Sequence, residues 1–184
     1  SLSAAEASAP NWSQSIVDNA VQTEPMGMNI GQYAWGNTLY VSEAMYLLAL
    51  MSYYNPDLSS TSGIKVSDRL AQHLQKITQP GKEPSARGSL GGWVDNPVAQ
   101  SIVLAKNTPA VWNELTRGEK ERLDFIMQVL AVTGNYTQNY LNRVETDLTQ
   151  KDTFVKSWNP NIQEGYVGIM IAAHLYFGGA DKVN

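Results

Sequence analysis

Apolar residues in this 184-residue chain recur every three to four positions, and almost no stretch alternates strictly between apolar and polar residues. This is the period of an α-helix with one buried side, so the pattern predicts an all-α protein. The length suits one domain with its own core. The predicted helices cover residues 11–22, 37–54, 64–79, 96–107, 117–132, 136–144 and 160–177.

Local signals mark several of the predicted helix ends. Thr116 and Glu119 have the spacing of a capping box, in which each side chain bonds to the other residue's backbone N–H. Asn96 and Asn159 each precede a proline, which the first helical turn tolerates, so we predict that both cap a helix. Gly178 is a predicted helix exit.

The predicted helices differ in how far their apolar residues spread around the axis. Three carry a single apolar stripe and are expected to face water on the other side: 11–22, 64–79 and 117–132. Three spread apolar residues round the axis and are expected to be enclosed, the last less strongly: 37–54, 160–177 and 96–107. Because the two kinds alternate along the chain, the pattern predicts helical hairpins in two layers.

A Trp followed closely by Asn leads into each helix that is expected to be enclosed: Trp35 to Asn37, Trp93 to Asn96, and Trp158 to Asn161. The tryptophans recur about every 60 residues, roughly the length of one long helical hairpin. If the enclosed helices all run in the same direction, the three segments meet at one end of the molecule. That end would collect aromatic rings, amides and helix N-termini.

Two stretches, AVWNELTRGEKERLDFIMQVLAV and WNPNIQEGYVGIMIAAHLYFGG, resemble the outer-then-inner helix passage of (α/α)-toroid carbohydrate-active enzymes. That group includes alginate-lyase-like and heparinase-like polysaccharide lyases and related unsaturated-sugar hydrolases. The resemblance implies a partial or complete (α/α) toroid with its substrate groove at the loops that enter the inner helices. A closed toroid needs more hairpins than this chain supplies. We therefore expect residues 1–184 to be one all-helical domain, the N-terminal part of a larger toroid.

The resemblance also implies roles for the Trp-Asn segments and for the Gly-rich loop from Pro80 to Gly92, which carries Arg87. Trp35, Trp93 and Trp158 would stack on sugar rings, although each could instead fold its loop onto the helix that follows. The other residues expected to bind substrate are Asn37, Asn159, Asp95 and Glu164.

In a lyase the substrate carboxylate must be neutralised before the neighbouring proton can leave, and amides or Arg provide this. Asn161, Asn96 and Arg87 are the residues that the resemblance nominates, with Tyr166 as a base. Helix capping by the two Asn and core packing of the Tyr are the structural alternatives. For a hydrolase, Asp95 and Glu164 would form the catalytic pair.

The two His residues receive structural interpretations. His73 lies on a helix with a single apolar stripe and is expected to be partly exposed. His174 lies late in a helix that is expected to be enclosed, so a core position with satisfied hydrogen bonds is expected.

Composition narrows the chemistry further. The chain has no Cys, so neither a thiol nucleophile nor a zinc site of the Cys type is expected. It has two His, and no metal site is predicted. The sequence does not indicate whether the protein uses a cofactor. A net charge of −4 without clustered Lys and Arg disfavours nucleic acid and anionic membrane surfaces. The apolar run 165–177 is shorter than the roughly 20 residues of a membrane span.

The first residues, SLSAAEASAPNW, resemble the stretch after a signal-peptide cleavage point, which favours a secreted or periplasmic protein. The preferred interpretation is a lyase that cleaves a uronic-acid-containing polysaccharide by β-elimination, with the remainder of a longer chain as a further partner. The alternatives are a glycoside hydrolase of the same fold, a non-catalytic carbohydrate-binding module, or a helical scaffold.

Overall fold

The computed structural model describes residues 10–27, 37–79, 92–146 and 160–178. Within these ranges the regular elements are α-helices, and the all-α prediction is confirmed there; the extended pairing is an isolated bridge between Ser59 and Lys65. The helices are α1 (Gln14–Gln22), α2 (Asn37–Tyr54), α3 (Val66–Ile77), α4 (Gly92–Lys106), α5 (Pro109–Trp112), α6 (Arg117–Thr146) and α7 (Pro160–Tyr176).

Several helix ends form for the reasons that the sequence suggested. The Thr116 backbone N–H donates to Glu119 Oε2 at 2.7 Å, and the Glu119 N–H donates to Thr116 Oγ1 at 3.3 Å, so the capping box is confirmed. Gly178 follows α7 with a φ of 93°, a left-handed conformation that Gly adopts without strain. The predicted ends of α2 and α7 agree with the structure to within one residue.

The two largest boundary errors concern α4 and α6, and α1 begins at Gln14, three residues later than predicted. Helix α4 begins at Gly92, so Asn96 lies inside the helix and does not cap it, and Pro97 is an internal proline. Pro97 has no N–H, so it cannot donate the helical hydrogen bond that the carbonyl of Trp93 would accept. Helix α6 continues to Thr146 without the expected break near 133–135, because an internal Gly costs a helix only about 1 kcal/mol.

The core forms around α4. Helices α2 and α7 both pack against α4, α6 packs against α7, and α3 packs against α2. Full burial of an aliphatic side chain contributes roughly 1.5–3 kcal/mol, so these seams hold the described part of the chain together. The largest fully buried side chains are Met45, Leu48, Met51, Leu70, Leu74, Ile77, Ile102, Leu123, Ile126 and Met127.

The expectation of three enclosed helices is correct for α4 alone. Between Val94 and Lys106, all side chains are buried or half-buried except that of Lys106, which is exposed. Helices α2 and α7 each leave one face open to solvent. Helices α3 and α4 cover part of α2, and α4 and α6 cover part of α7, which leaves the remaining side of each exposed. The exposed apolar side chains of these faces are Tyr40, Tyr46, Tyr53 and Tyr54 on α2, and Val167, Ile171 and Leu175 on α7.

Helix α1 is held to the loop between α2 and α3. The Asp18 carboxylate accepts hydrogen bonds from the Thr61 hydroxyl and from the Thr61 backbone N–H, the latter at 2.7 Å. These bonds and one from Gln14 lower the pKa of Asp18. Gln14 Nε2 also donates to the Ser59 carbonyl at 3.1 Å. The N-terminal helix is therefore fixed by polar contacts as well as by its buried stripe.

The two His residues exchange their expected environments. His73 is fully buried, and its Nε2 lies 3.2 Å from the carbonyl oxygen of Thr23. Burial lowers the pKa of His73 to about 4. His174 is exposed, because α7 turns that side away from α4.

Candidate functional site

Helices α4 and α7 run in the same direction. Gln100 Nε2 donates to the Gly168 carbonyl at 3.0 Å, and one and a half turns later Lys106 Nζ donates to the Tyr176 carbonyl at 3.0 Å. The paired positions are 68 and 70 residues apart in the chain, so residue number rises along both helices together. An antiparallel pair would show the opposite trend.

Because the pairing offset stays within a few residues, the two helices also begin within about one turn of each other. Gly92 is the first residue of α4 and Pro160 is the first residue of α7. These two residues are 68 positions apart in the chain (160 − 92), the same separation as that between Gln100 and Gly168. The predicted gathering of helix entrances at one end therefore holds for α4 and α7. The contacts of α2 do not fix its direction, so its share in this end stays a prediction.

This shared end carries most of the residues that the sequence singled out on the two helices. The first two turns of α4 hold Trp93, Asp95 and Asn96, and the first two turns of α7 hold Asn161, Glu164 and Tyr166. We call these two turns of each helix the entrance end. Helix N-termini carry unpaired N–H groups and a partial positive charge, which favours anionic groups nearby.

The side chain of Asn96 lies in the seam between the two helices. Its Oδ1 accepts a hydrogen bond of 3.4 Å from Gln100 Nε2, the same group that donates to the Gly168 carbonyl. A Cβ added to Gly168 would lie 2.2 Å from Asn96 Oδ1, so the amide rests directly on the Gly168 backbone. Asn96 is half-buried, and its first role in this structure is to pack the two helices together.

Asp95 is fully buried in the first turn of α4. A carboxylate near a helix N-terminus is stabilised by the helix dipole. With no exposed surface, Asp95 is poorly placed to contact a polymer or to serve as one half of a hydrolase pair. The burial of Asp95 thus favours a supporting role behind the entrance end.

Other nominated residues fall outside the description. Trp35, Arg87, Trp158 and Asn159 lie outside the described residues altogether. Five other nominated residues lie on described helices, where the structure describes their backbone and not their side chains. These residues are Asn37, Trp93, Asn161, Glu164 and Tyr166. The structure therefore fixes the level of these positions on α2, α4 and α7 and says nothing of their contacts.

Sequence reasoning missed a polar cluster at the opposite end of the seam. The Tyr176 hydroxyl donates to Asp124 Oδ1, and Lys106 Nζ lies 3.8 Å from the centre of the Tyr176 ring. Burial and the Asp124 carboxylate raise the pKa of Tyr176, so it stays neutral and acts as a donor. A Tyr at the end of a helix rich in apolar residues was the available signal, because buried Tyr hydroxyls need partners.

No candidate metal centre is found within the described ranges, where no three His, Asp or Glu side chains converge on a common point. Among the same helices, none combines the length and the hydropathy of a membrane span.

Comparison with known proteins adds a likeness that covers this whole arrangement. The chain is similar to a gellan lyase. That protein comes from a Bacillus species and is 33% identical over 184 residues, which are 98% of this chain and 7% of the gellan lyase. The chain therefore spans a small part of the relative's length. No protein-family model matches the chain, and no solved structure matches it.

Proposed function

We propose that this chain is part of a secreted or periplasmic polysaccharide lyase that is built on an (α/α) toroid and cleaves a uronic-acid-containing polysaccharide by β-elimination. The observation that carries the proposal is the 33% identity to a gellan lyase along nearly the whole chain. The parallel α4 and α7, with their first turns level, support a binding groove at the entrance end. All-helical architecture in the described ranges is in keeping with such a toroid.

The proposed reaction has three parts. A base removes the proton from C5 of the uronate, the C5 electrons form a double bond to C4, and the glycosidic C4–O bond breaks as its oxygen takes up a proton. Charge builds on the C5 carboxylate as the proton leaves, so groups that neutralise the carboxylate lower the barrier. Asn161 and Arg87 are the proposed neutralising residues. Tyr166, or a base from elsewhere in the polypeptide, takes the proton.

Asn161 is preferred over Asn96 as the amide that binds the carboxylate. The Asn96 oxygen already accepts a hydrogen bond from Gln100, and its amide packs on Gly168. Asn161 belongs to the first turn of α7, about two turns nearer the entrance end than Gly168, which the Asn96 amide contacts. Asn96 then contributes by holding the two helix entrances at a fixed separation.

The remaining entrance residues would bind the neutral part of the polymer. Trp93 and Trp158 offer flat apolar rings that suit the CH-rich face of a pyranose. Trp35, Asn37, Asn159 and Glu164 are proposed as further contacts. The chain has 17 Asp and Glu against 13 Lys and Arg, so attraction of an acidic polymer must come from local groups such as Arg87 and from the helix N-termini.

The proposal is tested by incubating the natural polypeptide with gellan, alginate, glucuronan and heparin and following absorbance near 235 nm. A lyase creates unsaturated uronate, so absorbance rises with at least one of these substrates. Asn161→Ala should lower kcat by about 10²–10³, the usual loss for one group that stabilises an oxyanion. Asn113→Ala, an exposed Asn in the turn before α6, is the matched control and should leave kcat unchanged.

Three results would contradict the proposal. New reducing ends without the absorbance change would indicate a hydrolase. Saturable binding without cleavage would indicate a carbohydrate-binding module. An Asn161→Ala variant with full activity would remove the residue that we regard as central.

A further inference from the structure

Helix α7 presents three exposed aliphatic side chains at four-residue spacing, with the exposed His174 beside them. Val167, Ile171 and Leu175 are 49%, 53% and 57% exposed, and each is one helical turn from the next. The three side chains span about 12 Å along the helix at 1.5 Å per residue. We call these three side chains the α7 stripe.

The α7 stripe is more apolar than the outward face of α6. That face carries Arg117 and Glu121, which pair at 2.7 Å, and one turn later the exposed Phe125. A helix that is apolar on both sides is ordinarily covered on both sides. The inner side of α7 is covered by α4 and α6, so the stripe is the side of α7 that the described helices leave uncovered.

We propose that the α7 stripe is the docking surface for a further amphipathic helix of the same polypeptide, which lies alongside α7 as α7 lies alongside α4. The packing of α2 on α4 and of α4 on α7 is a series of neighbouring inner helices, and a helix on the stripe continues this established interface by one step. Side chains at every fourth position form the ridge that a facing helix accepts in its groove.

The gellan lyase that this chain resembles is much longer than 184 residues. A polypeptide of that length has further residues that can form the helix docked on the stripe. The match covers 7% of the gellan lyase, so that relative has a great deal of chain beyond the matched region. A helix tethered to the same chain has a high effective concentration at the stripe, so a small contact is enough to hold it.

A second copy of the chain fits the stripe less well. A stable interface between separate proteins buries about 1,200–2,000 Å² in total, and three aliphatic side chains along one helix supply only a small part of that. A sugar polymer fits poorly as well, because aliphatic side chains neither stack on pyranose rings nor donate hydrogen bonds.

The test uses cysteine reactivity in the natural polypeptide, and the 184 residues contain no Cys of their own. Ile171→Cys and, as the control, Glu121→Cys are each treated with a thiol reagent, and modification at the introduced site is read by mass spectrometry. Glu121 has an exposed side chain on the charged face of α6. We expect Ile171→Cys to react at least tenfold more slowly than Glu121→Cys, with equal rates after unfolding in urea.

Two results would overturn the inference. Equal reactivity of Ile171→Cys and Glu121→Cys in the folded polypeptide would mean that the stripe faces solvent. Protection of Ile171→Cys that disappears on dilution would mean that a second copy covers the stripe. Should Ile171→Cys fail to fold by circular dichroism, Leu175→Cys provides the same readout one turn away. None of these outcomes depends on lyase activity, so the inference and the proposed function can fail separately.

Discussion

Replacing Gly168 with Ala tests how tightly α4 and α7 are packed. The added Cβ would lie 2.2 Å from Oδ1, 2.6 Å from Cγ and 2.7 Å from Nδ2 of Asn96, so the amide must move. Movement breaks its bond to Gln100, and the half-buried amide must take a new position in the seam. Overpacking costs about 1–3 kcal/mol and a lost hydrogen bond about 1 kcal/mol, whereas Ala gains about 1 kcal/mol in helix propensity over Gly. The expected net loss is about 1–3 kcal/mol.

The assay is urea unfolding followed by circular dichroism, with two comparison variants. Gly118→Ala adds the same methyl group to the first turn of α6, where nothing lies within 4 Å, and should be neutral or stabilising by up to about 1 kcal/mol. Gly168→Ala combined with Asn96→Ala removes the clash and should recover most of the loss, which gives a coupling energy of about 1 kcal/mol or more. A Gly168→Ala variant as stable as the parent would refute the packing argument.

Three further predictions concern stability. The pKa of His73 falls from 6.5 to about 4 on folding, so between these pH values the unfolded state binds a proton that the folded state does not. The free energy of unfolding is therefore greatest above pH 6.5 and declines by roughly 2–3 kcal/mol down to about pH 4. The variant His73→Gln should flatten that decline in urea titrations. Tyr176→Phe removes the donor to Asp124 and should cost about 1.5–3 kcal/mol, whereas exposed Tyr54→Phe should cost nothing measurable in thermal melts. Thr116→Ala removes the capping box and should lower the free energy of unfolding by about 1 kcal/mol; an unchanged urea midpoint would contradict this.

Periodicity predicted the helices well where local chemistry also marked their ends. The capping box of Thr116 and Glu119 is a local interaction, so its residues are enough to predict it. Pro97 led to a wrong prediction of where α4 begins. Proline suits the first turn of a helix and is also tolerated a little later, and only the packing of α4 shows which position Pro97 takes. The spread of apolar residues on α7 correctly indicated an apolar helix and could not indicate which neighbour covers each side.

Side-chain environments were the least predictable from sequence. His73 and His174 both lie on helices with apolar faces, and their burial depends on small differences in helix rotation that a single sequence does not encode plainly. The contact of Asn96 with Gly168 joins residues far apart in the chain, so no local pattern reveals it. The level entrances of α4 and α7 were predictable in outline, because a series of alternating enclosed and striped helices requires its inner members to run the same way.

The most direct test of the account measures the direction of α7 relative to α4. In the 184-residue chain, which has no native Cys and in which all three positions are exposed, one variant carries spin labels at Lys106→Cys and His174→Cys. A second variant carries them at Lys106→Cys and Val167→Cys. Double electron–electron resonance then gives the two distances. Positions 167 and 174 differ by about 10 Å along a helix. The account predicts that the 106–174 distance is the shorter; a shorter 106–167 distance would contradict the parallel arrangement and the shared entrance end.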